Sequence, residues 1–248
     1  MNRWAVDDAG KGREAFHTTH WSLVFKAAER GTSQAQRALA TLCETYWYPL
    51  YAYARRLGAD PDEARDQTQA YFASLLEKNY VGDADRQRGR FRTFLITSFR
   101  NHRSKERKRA AAAKRGGGQV LLSFDYDDAE HRYRLEPIDH RTPEQVFERR
   151  WALTLLDRAV DEVRKQYRSG GKAELFDVLS PLLAGARLDR PYSEIAHALE
   201  ISEGALKVAA HRLRGRFRDT LRALIAETVA EDVSIEDELR DLMRIVTG

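Results

Sequence analysis

Between Asp62 and Lys78 the apolar positions Ala64, Tyr71, Phe72, Leu75 and Leu76 recur at the three-and-four spacing of one helical face. Asp60-Pro61 just before them supplies a cap and a first-turn residue. A similar period from about Gln34 to Leu57 stops at Gly58, which the pattern predicts as the glycine just past a helix end. Trp151, Leu155, Leu156, Ala159 and Val163 mark a further amphipathic helix. Thr142-Pro143-Glu144-Gln145 is its start signal, with threonine as cap, proline first and glutamine at the third position. Ser169-Gly170-Gly171 breaks the chain, and Leu175 to Leu183 then reads as helix up to the region of Pro181. VLLSF, residues 120–124, is the one run that reads as strand, and one strand makes no sheet, so the chain is predicted all-α.

Gly116-Gly117-Gly118 closes the stretch that follows Lys78, and residues 116–142 show no sustained helical period. The pattern therefore predicts two small helical domains joined by a linker. They are an N-terminal arm over 1–30, a first domain over 31–115, the linker over 116–142, a second domain over 143–228 and a C-terminal extension over 229–248.

Residues 191–222 have the spacing of a helix-turn-helix. Ile195, Ala196 and Leu199 form the inner face of a first helix, Ile201 fills the turn, and Ser202 caps a second helix whose Leu206, Ala210 and Leu213 pack inward. Lys207, His211, Arg212 and Arg214 then remain for a major groove, with Arg216 and Arg218 further along for phosphates. A plain helical hairpin with a basic solvent face has the same spacing. Glu200 occupies the turn position that glycine often takes, at a cost of roughly 1 kcal/mol if left-handed geometry is required there.

Charge changes this picture more than composition does. The net charge of +4 comes from 42 Lys and Arg against 38 Asp and Glu, but the charges are segregated. Residues 86–115 hold twelve bases against Glu106 alone, whereas 227–248 hold seven acids against Arg240 and Arg244. On a helical wheel Phe91, Phe94, Leu95 and Phe99 share one sector, and Arg92, Arg100, Arg103 and Arg107 share another of about 80°. A guanidinium row suits a phosphate backbone, because its forks match phosphate oxygens and binding releases counterions. Tyr80, in the loop before this helix, either stacks on an unpaired base or covers the local core. TYWYPLYAY, residues 45–53, reads as core packing in preference to a base-stacking platform.

No segment approaches the roughly 18 apolar residues of a membrane span, and MNRWAVDDAG lacks the apolar stretch of a secretory signal. Cys43, alone in the chain, excludes an internal disulfide and a thiolate metal cluster. A cytoplasmic protein without membrane contact is expected. His17, His20 and the acids Asp125, Asp127, Asp128 and Glu130 show no arrangement of nucleophile, base and orienting group. Neither an enzyme, a small-molecule substrate, a cofactor nor a metal is therefore expected.

A basic helix joined through a linker to a helix-turn-helix resembles a bacterial RNA polymerase sigma factor of the sigma-70 family, extracytoplasmic-function type. EARDQTQAYFASLLEK (63–78) resembles its core-polymerase-binding helix. GRFRTFLITSFRNHRSKERKR (89–109) resembles its promoter-melting and minus-ten-reading helix, and YSEIAHALEISEGALKVAAHRLRGRFR (192–218) is similar to its minus-thirty-five-reading domain. GRFR, RGGG and FERRWAL (Phe147 to Leu153), with the C-terminal extension, match a group often associated with Ser/Thr kinases.

The resemblance implies sigma domain two over 31–115 and a winged-helix-like sigma domain four over 143–228, with core RNA polymerase and promoter DNA as partners. It implies polymerase contacts at Asp62, Glu63, Asp66, Gln69 and Phe72. Minus-ten contacts fall on Tyr80, Arg92, Arg100, Asn101, His102, Arg103, Lys105 and Arg107, and minus-thirty-five contacts on Lys207, His211, Arg212, Arg214 and Arg216. The acidic linker would run toward the polymerase's RNA channel.

Arg65 and Ala70 stand where the family's polymerase-binding helix is usually acidic. Phosphorylation of Thr68 by a Ser/Thr kinase would add about −1.5 to −2 charges there, and an anti-sigma factor is the other regulatory partner expected. In the C-terminal segment, Ser234 and Asp237 start a short amphipathic helix that either folds back on a basic or apolar surface, restraining DNA or polymerase binding, or serves only in packing. The competing reading is a helix-turn-helix regulator that does not join polymerase.

Overall fold

The computed structural model describes residues 33–78, 90–112, 125–135, 140–227, 229 and 234–247. Every regular element among these residues is a helix. In chain order they are α1 (Ser33–Arg56), α2 (Pro61–Lys78), α3 (Phe91–Ala112), α4 (Tyr126–Arg134), α5 (Pro143–Ser169), α6 (Ala173–Leu179), a 3-10 turn (Ser180–Ala184), α7 (Tyr192–Ala198), α8 (Glu203–Ala226) and α9 (Ile235–Thr247). None of the helices is long and apolar enough to cross a membrane. The arm with His17 and His20, the loop with Tyr80, the VLLSF run and the triple glycine lie outside the described residues.

The described residues divide into a unit within 33–155 and 225–247 and a unit of 156–224. The helices α5 and α8 each contribute to both. This differs from the expected boundaries, because the first half of α5 and the C-terminal extension belong with the first unit.

In the first unit the helix ends follow local chemistry. Gly58 adopts φ +86° and its N–H donates to the Arg55 carbonyl while Ala59 N–H donates to that of Ala54, satisfying two carbonyls at the end of α1. Asp60 Oδ1 accepts from Glu63 N–H at 2.8 Å, capping α2. Thr142 and Gln145 exchange side-chain and backbone hydrogen bonds at 3.2 and 2.8 Å, a reciprocal capping box at the start of α5. The core between these helices is aromatic. Tyr46, Tyr51, Tyr53, Phe72, Phe91, Phe99, Phe147 and Trp151 are all buried, and the Tyr71 and Phe99 rings meet edge-on at 5.2 Å. The 45–53 aromatics therefore mostly pack inward.

The expected linker is helical in part. α4 docks on α1 through Glu130, which accepts from the Tyr51 hydroxyl at 2.6 Å and from Arg55 Nε at 3.0 Å. Tyr126 packs edge-on against Trp47 at 5.5 Å, and Ala129 is buried. Asp125 caps the helix by accepting from Asp128 N–H at 3.0 Å. The periodicity of nine residues is too short to have announced this helix, and its stability comes from tertiary packing.

In the second unit, Val163 and Tyr167 of α5, Leu175, Phe176 and Leu179 of α6, Leu182 of the 3-10 turn, Ile195 and Ala196 of α7 with Leu199 just after it, and Leu206, Ala210 and Leu213 of α8 form one cluster.

Candidate nucleic-acid interface

The turn between α7 and α8 decides how the second helix is presented. Glu200 N–H donates to the His197 carbonyl at 3.1 Å and Ile201 N–H to the Ala196 carbonyl at 3.0 Å. That pattern places Glu200 in the left-handed region, and its φ is +54°. The side chain has no steric relief there, so Glu200→Gly is expected to raise the denaturation midpoint by an amount worth about 1 kcal/mol. A chemical-denaturation curve of the second unit's transition checks this, and an unchanged midpoint would deny the strain. Ser202 Oγ then accepts from Ala205 N–H at 3.1 Å and starts α8.

With Leu206, Ala210 and Leu213 inward, the exposed bases of α8 fall into two rows. Lys207, His211, Arg214 and Arg218 follow one another at helical spacing on one flank, all exposed. Arg212 and Arg216 lie on the other flank, beside a depression of about 300 Å³ that Tyr167, Ile201, Ala205 and Val208 also line. Arg216 sits 5.4 Å from the Tyr167 ring centroid. The expected division put Arg212 with Lys207, His211 and Arg214 at the groove and Arg216 with Arg218 at phosphates, whereas the structure places Arg212 beside Arg216 and Arg218 on the flank of Lys207.

Two residues of this face escaped the sequence reading. Val208 exposes half its side chain on the same helix and offers an apolar contact of the kind a thymine methyl accepts. Glu203 holds Lys207 Nζ at 2.7 Å and keeps its ammonium pKa above the usual value, chiefly through that hydrogen bond. The four-residue spacing from acid to base was the available signal.

The basic helix α3 is not the uniform exposed stripe expected. Arg100, Asn101 and Lys105 are exposed and His102 is half-buried, its ring 5.7 Å from that of Tyr71. Arg92 is only 3% exposed and Arg103 only 7%, so neither guanidinium stands on the exposed face expected of a DNA contact. At 100° per residue they lie about 100° and about 120° from Phe91, next to the apolar sector, and packing extends over both. Burial presses the Arg92 guanidinium down to about 10, which leaves it charged at neutral pH. The Arg107 side chain and Tyr80 fall outside the described residues.

The polymerase-facing set on α2 also divides. Asp62, Glu63 and Asp66 are exposed, and Arg65 pairs with Asp62 at 2.9 Å. Gln69 and Phe72 are buried, Phe72 in the core, so neither offers a side chain to a partner as expected. Thr68 is fully buried and its hydroxyl donates to the Ala64 carbonyl at 2.7 Å. A kinase must draw a hydroxyl into its own active site, so this burial overturns the expected phosphorylation of the folded helix.

Within the acidic extension, α9 belongs to the first unit. Glu238 is fully buried and Leu242 with it. Cys43 is buried too, and burial, with Glu44 nearby, pushes its thiol up to about 12. Among the described residues no three His, Cys, Asp or Glu side chains converge as a metal-ligand set. Compared with known proteins, the chain finds no match: no family model, no curated protein and no solved structure.

Proposed function

We propose that the chain acts as a sigma factor, binding core RNA polymerase in the cytoplasm, recognising minus-ten and minus-thirty-five promoter elements and directing transcription initiation. The observation that carries this reading is the presence, in one chain, of two helical units that each expose bases on a long helix. In the second unit a capped helix-turn-helix presents Lys207, His211 and Arg214 in a row, as a major-groove reader requires. In the first, α3 exposes Arg100, Asn101 and Lys105. The exposed acids Asp62, Glu63 and Asp66 supply the polymerase contact, and no catalytic role or cofactor is assigned. An anti-sigma factor is the regulatory partner that fits this reading.

A second reading, a helix-turn-helix regulator that does not join polymerase, is favoured by the burial of Gln69 and Phe72, which leaves α2 fewer groups for a partner. Pull-down with purified core polymerase followed by run-off transcription on genomic fragments separates the two. Promoter-specific initiation supports the sigma reading. DNA binding without polymerase association would leave the regulator.

A further inference from the structure

Arg90 and Arg92 flank the first residue of α3, and both reach α9. Arg90 Nε lies 2.8 Å from Glu238 Oε2, and Arg92 pairs with the other oxygen of the same carboxylate. Arg90 also donates to Asp241 Oδ2 at 2.5 Å. Arg92 stacks 4.3 Å from the Trp151 ring centroid. At the other end of the helix, Arg149 donates to the carbonyls of Ile245 and Val246 at 3.2 and 3.0 Å, groups that have no partner within a helix end. α9 is thus held at both ends by arginines of its own unit.

Two neighbouring guanidiniums, both ion-paired with Glu238 and one donating to Asp241, present a doubled positive charge that a phosphodiester also satisfies. They begin the helix that carries the chain's strongest basic run. A desolvated ion pair gains little over the same charges paired elsewhere, because desolvation offsets most of the attraction. Exchanging Glu238 and Asp241 for phosphates therefore changes little in the charge pairing itself. The advantage of α9 is that it is attached, which gives it an effective concentration that a free ligand must match.

We propose that α9 is an internal stand-in for a nucleic-acid backbone: Glu238 and Asp241 occupy the Arg90–Arg92 pair, and α9 competes with DNA for it, restraining binding by the basic helix. This rests on the part of the proposed function that gives α3 to DNA, and not on polymerase binding. The burial that removes Arg92 from the exposed face is then one state of an exchange.

The test compares the full-length protein with Asp241→Asn, Glu238→Gln and Asp237→Asn, using a fluorescent DNA duplex and anisotropy over a range of salt. Asp237 is exposed and pairs with Arg240 on its own helix, so its variant removes the same unit of charge without touching Arg90 or Arg92. Asp241→Asn and Glu238→Gln are expected to bind about threefold to tenfold more tightly than wild type, with a salt slope steeper by about 0.9 for each arginine released. Asp237→Asn is expected to change affinity less than twofold. If the first two gain no more than the third, or bind more weakly while folded, the competition does not exist. Should Glu238→Gln unfold, Asp241→Asn decides alone, because it leaves the buried Arg92–Glu238 pair in place. Absence of DNA binding by all four proteins overturns both this inference and the DNA reading of α3. Failure to associate with core polymerase sinks the sigma reading and leaves the competition standing.

Discussion

Replacing Lys207 and His211 together with alanine is expected to abolish most sequence discrimination by the second unit. Each good base-edge contact contributes about 1–3 kcal/mol of discrimination, so the pair accounts for about 2–6 kcal/mol, a loss of at least roughly thirtyfold. Both side chains are exposed and neither belongs to the core of Leu206, Ala210 and Leu213, so stability should stay within about 0.5 kcal/mol of wild type. A duplex selected from a random pool by the full-length protein, measured against a scrambled one, gives the comparison. Arg212→Ala and Arg216→Ala, on the opposite flank, should weaken both duplexes alike and reduce the salt slope. Equal loss of discrimination from the two flanks would show that α8 does not enter the groove in the orientation its two rows define.

Glu130→Ala is expected to produce the second large effect, on stability. The carboxylate accepts from Tyr51, from Arg55 at 3.0 and 3.2 Å, and from Arg134 at 2.9 Å. Side-chain exposure of Arg55 and Glu130 is only 18% and 13%, so deleting the acceptor strands a largely desolvated guanidinium and a phenol. Removing one partner of a buried pair costs about 3–5 kcal/mol, and residual solvent lowers this to about 2–4 kcal/mol here. Tyr51→Phe, which removes one donor and leaves the ion pair, should cost only about 1 kcal/mol. Burial pulls the Glu130 carboxyl upward, but hydrogen bonds from Tyr51, Arg134 and Arg55 outweigh it and hold the group below its usual range.

The sign of the pH effect follows from that direction. Glu130 contributes its full stabilisation above the unfolded glutamate value of about 4.3 and loses it as pH falls through the lower folded value. Urea midpoints from pH 3 to 7 should therefore rise more steeply for wild type than for Glu130→Gln. Parallel curves would mean that Glu130 does not secure α4.

What the sequence disclosed was periodic or capped. The start of α5 was legible in Thr142 and Gln145, the end of α1 in Gly58, and α8 in Ser202 followed by Leu206, Ala210 and Leu213. Glu200 was legible as a misfit, and its positive φ shows why. What stayed hidden depended on contacts between distant residues. Nothing near Tyr126 signals that Trp47 and Tyr51 will hold it, nor does anything near Arg92 signal Glu238, which lies far along the chain. A wheel drawn on one helix sorts apolar from charged, but the borderline positions of that wheel, Arg92 and Arg103, are settled by what packs beside them. Thr68 is a different case, since its spacing of four from both Ala64 and Phe72 already puts it on the apolar face of α2.

Glu203 precedes Lys207 by one helical turn, the favoured order for such a pair. DNA approaching Lys207 meets an ammonium whose counterion is tethered to the same helix and cannot be diluted away. A phosphate gains little at that position, because displacing Glu203 releases nothing into solution. A guanine edge, which offers acceptors that the ammonium can reach while keeping Glu203, gains more. On the proposed DNA reading of α8, the partly spent charge at Lys207 weakens attraction to arbitrary phosphates and favours a particular base edge.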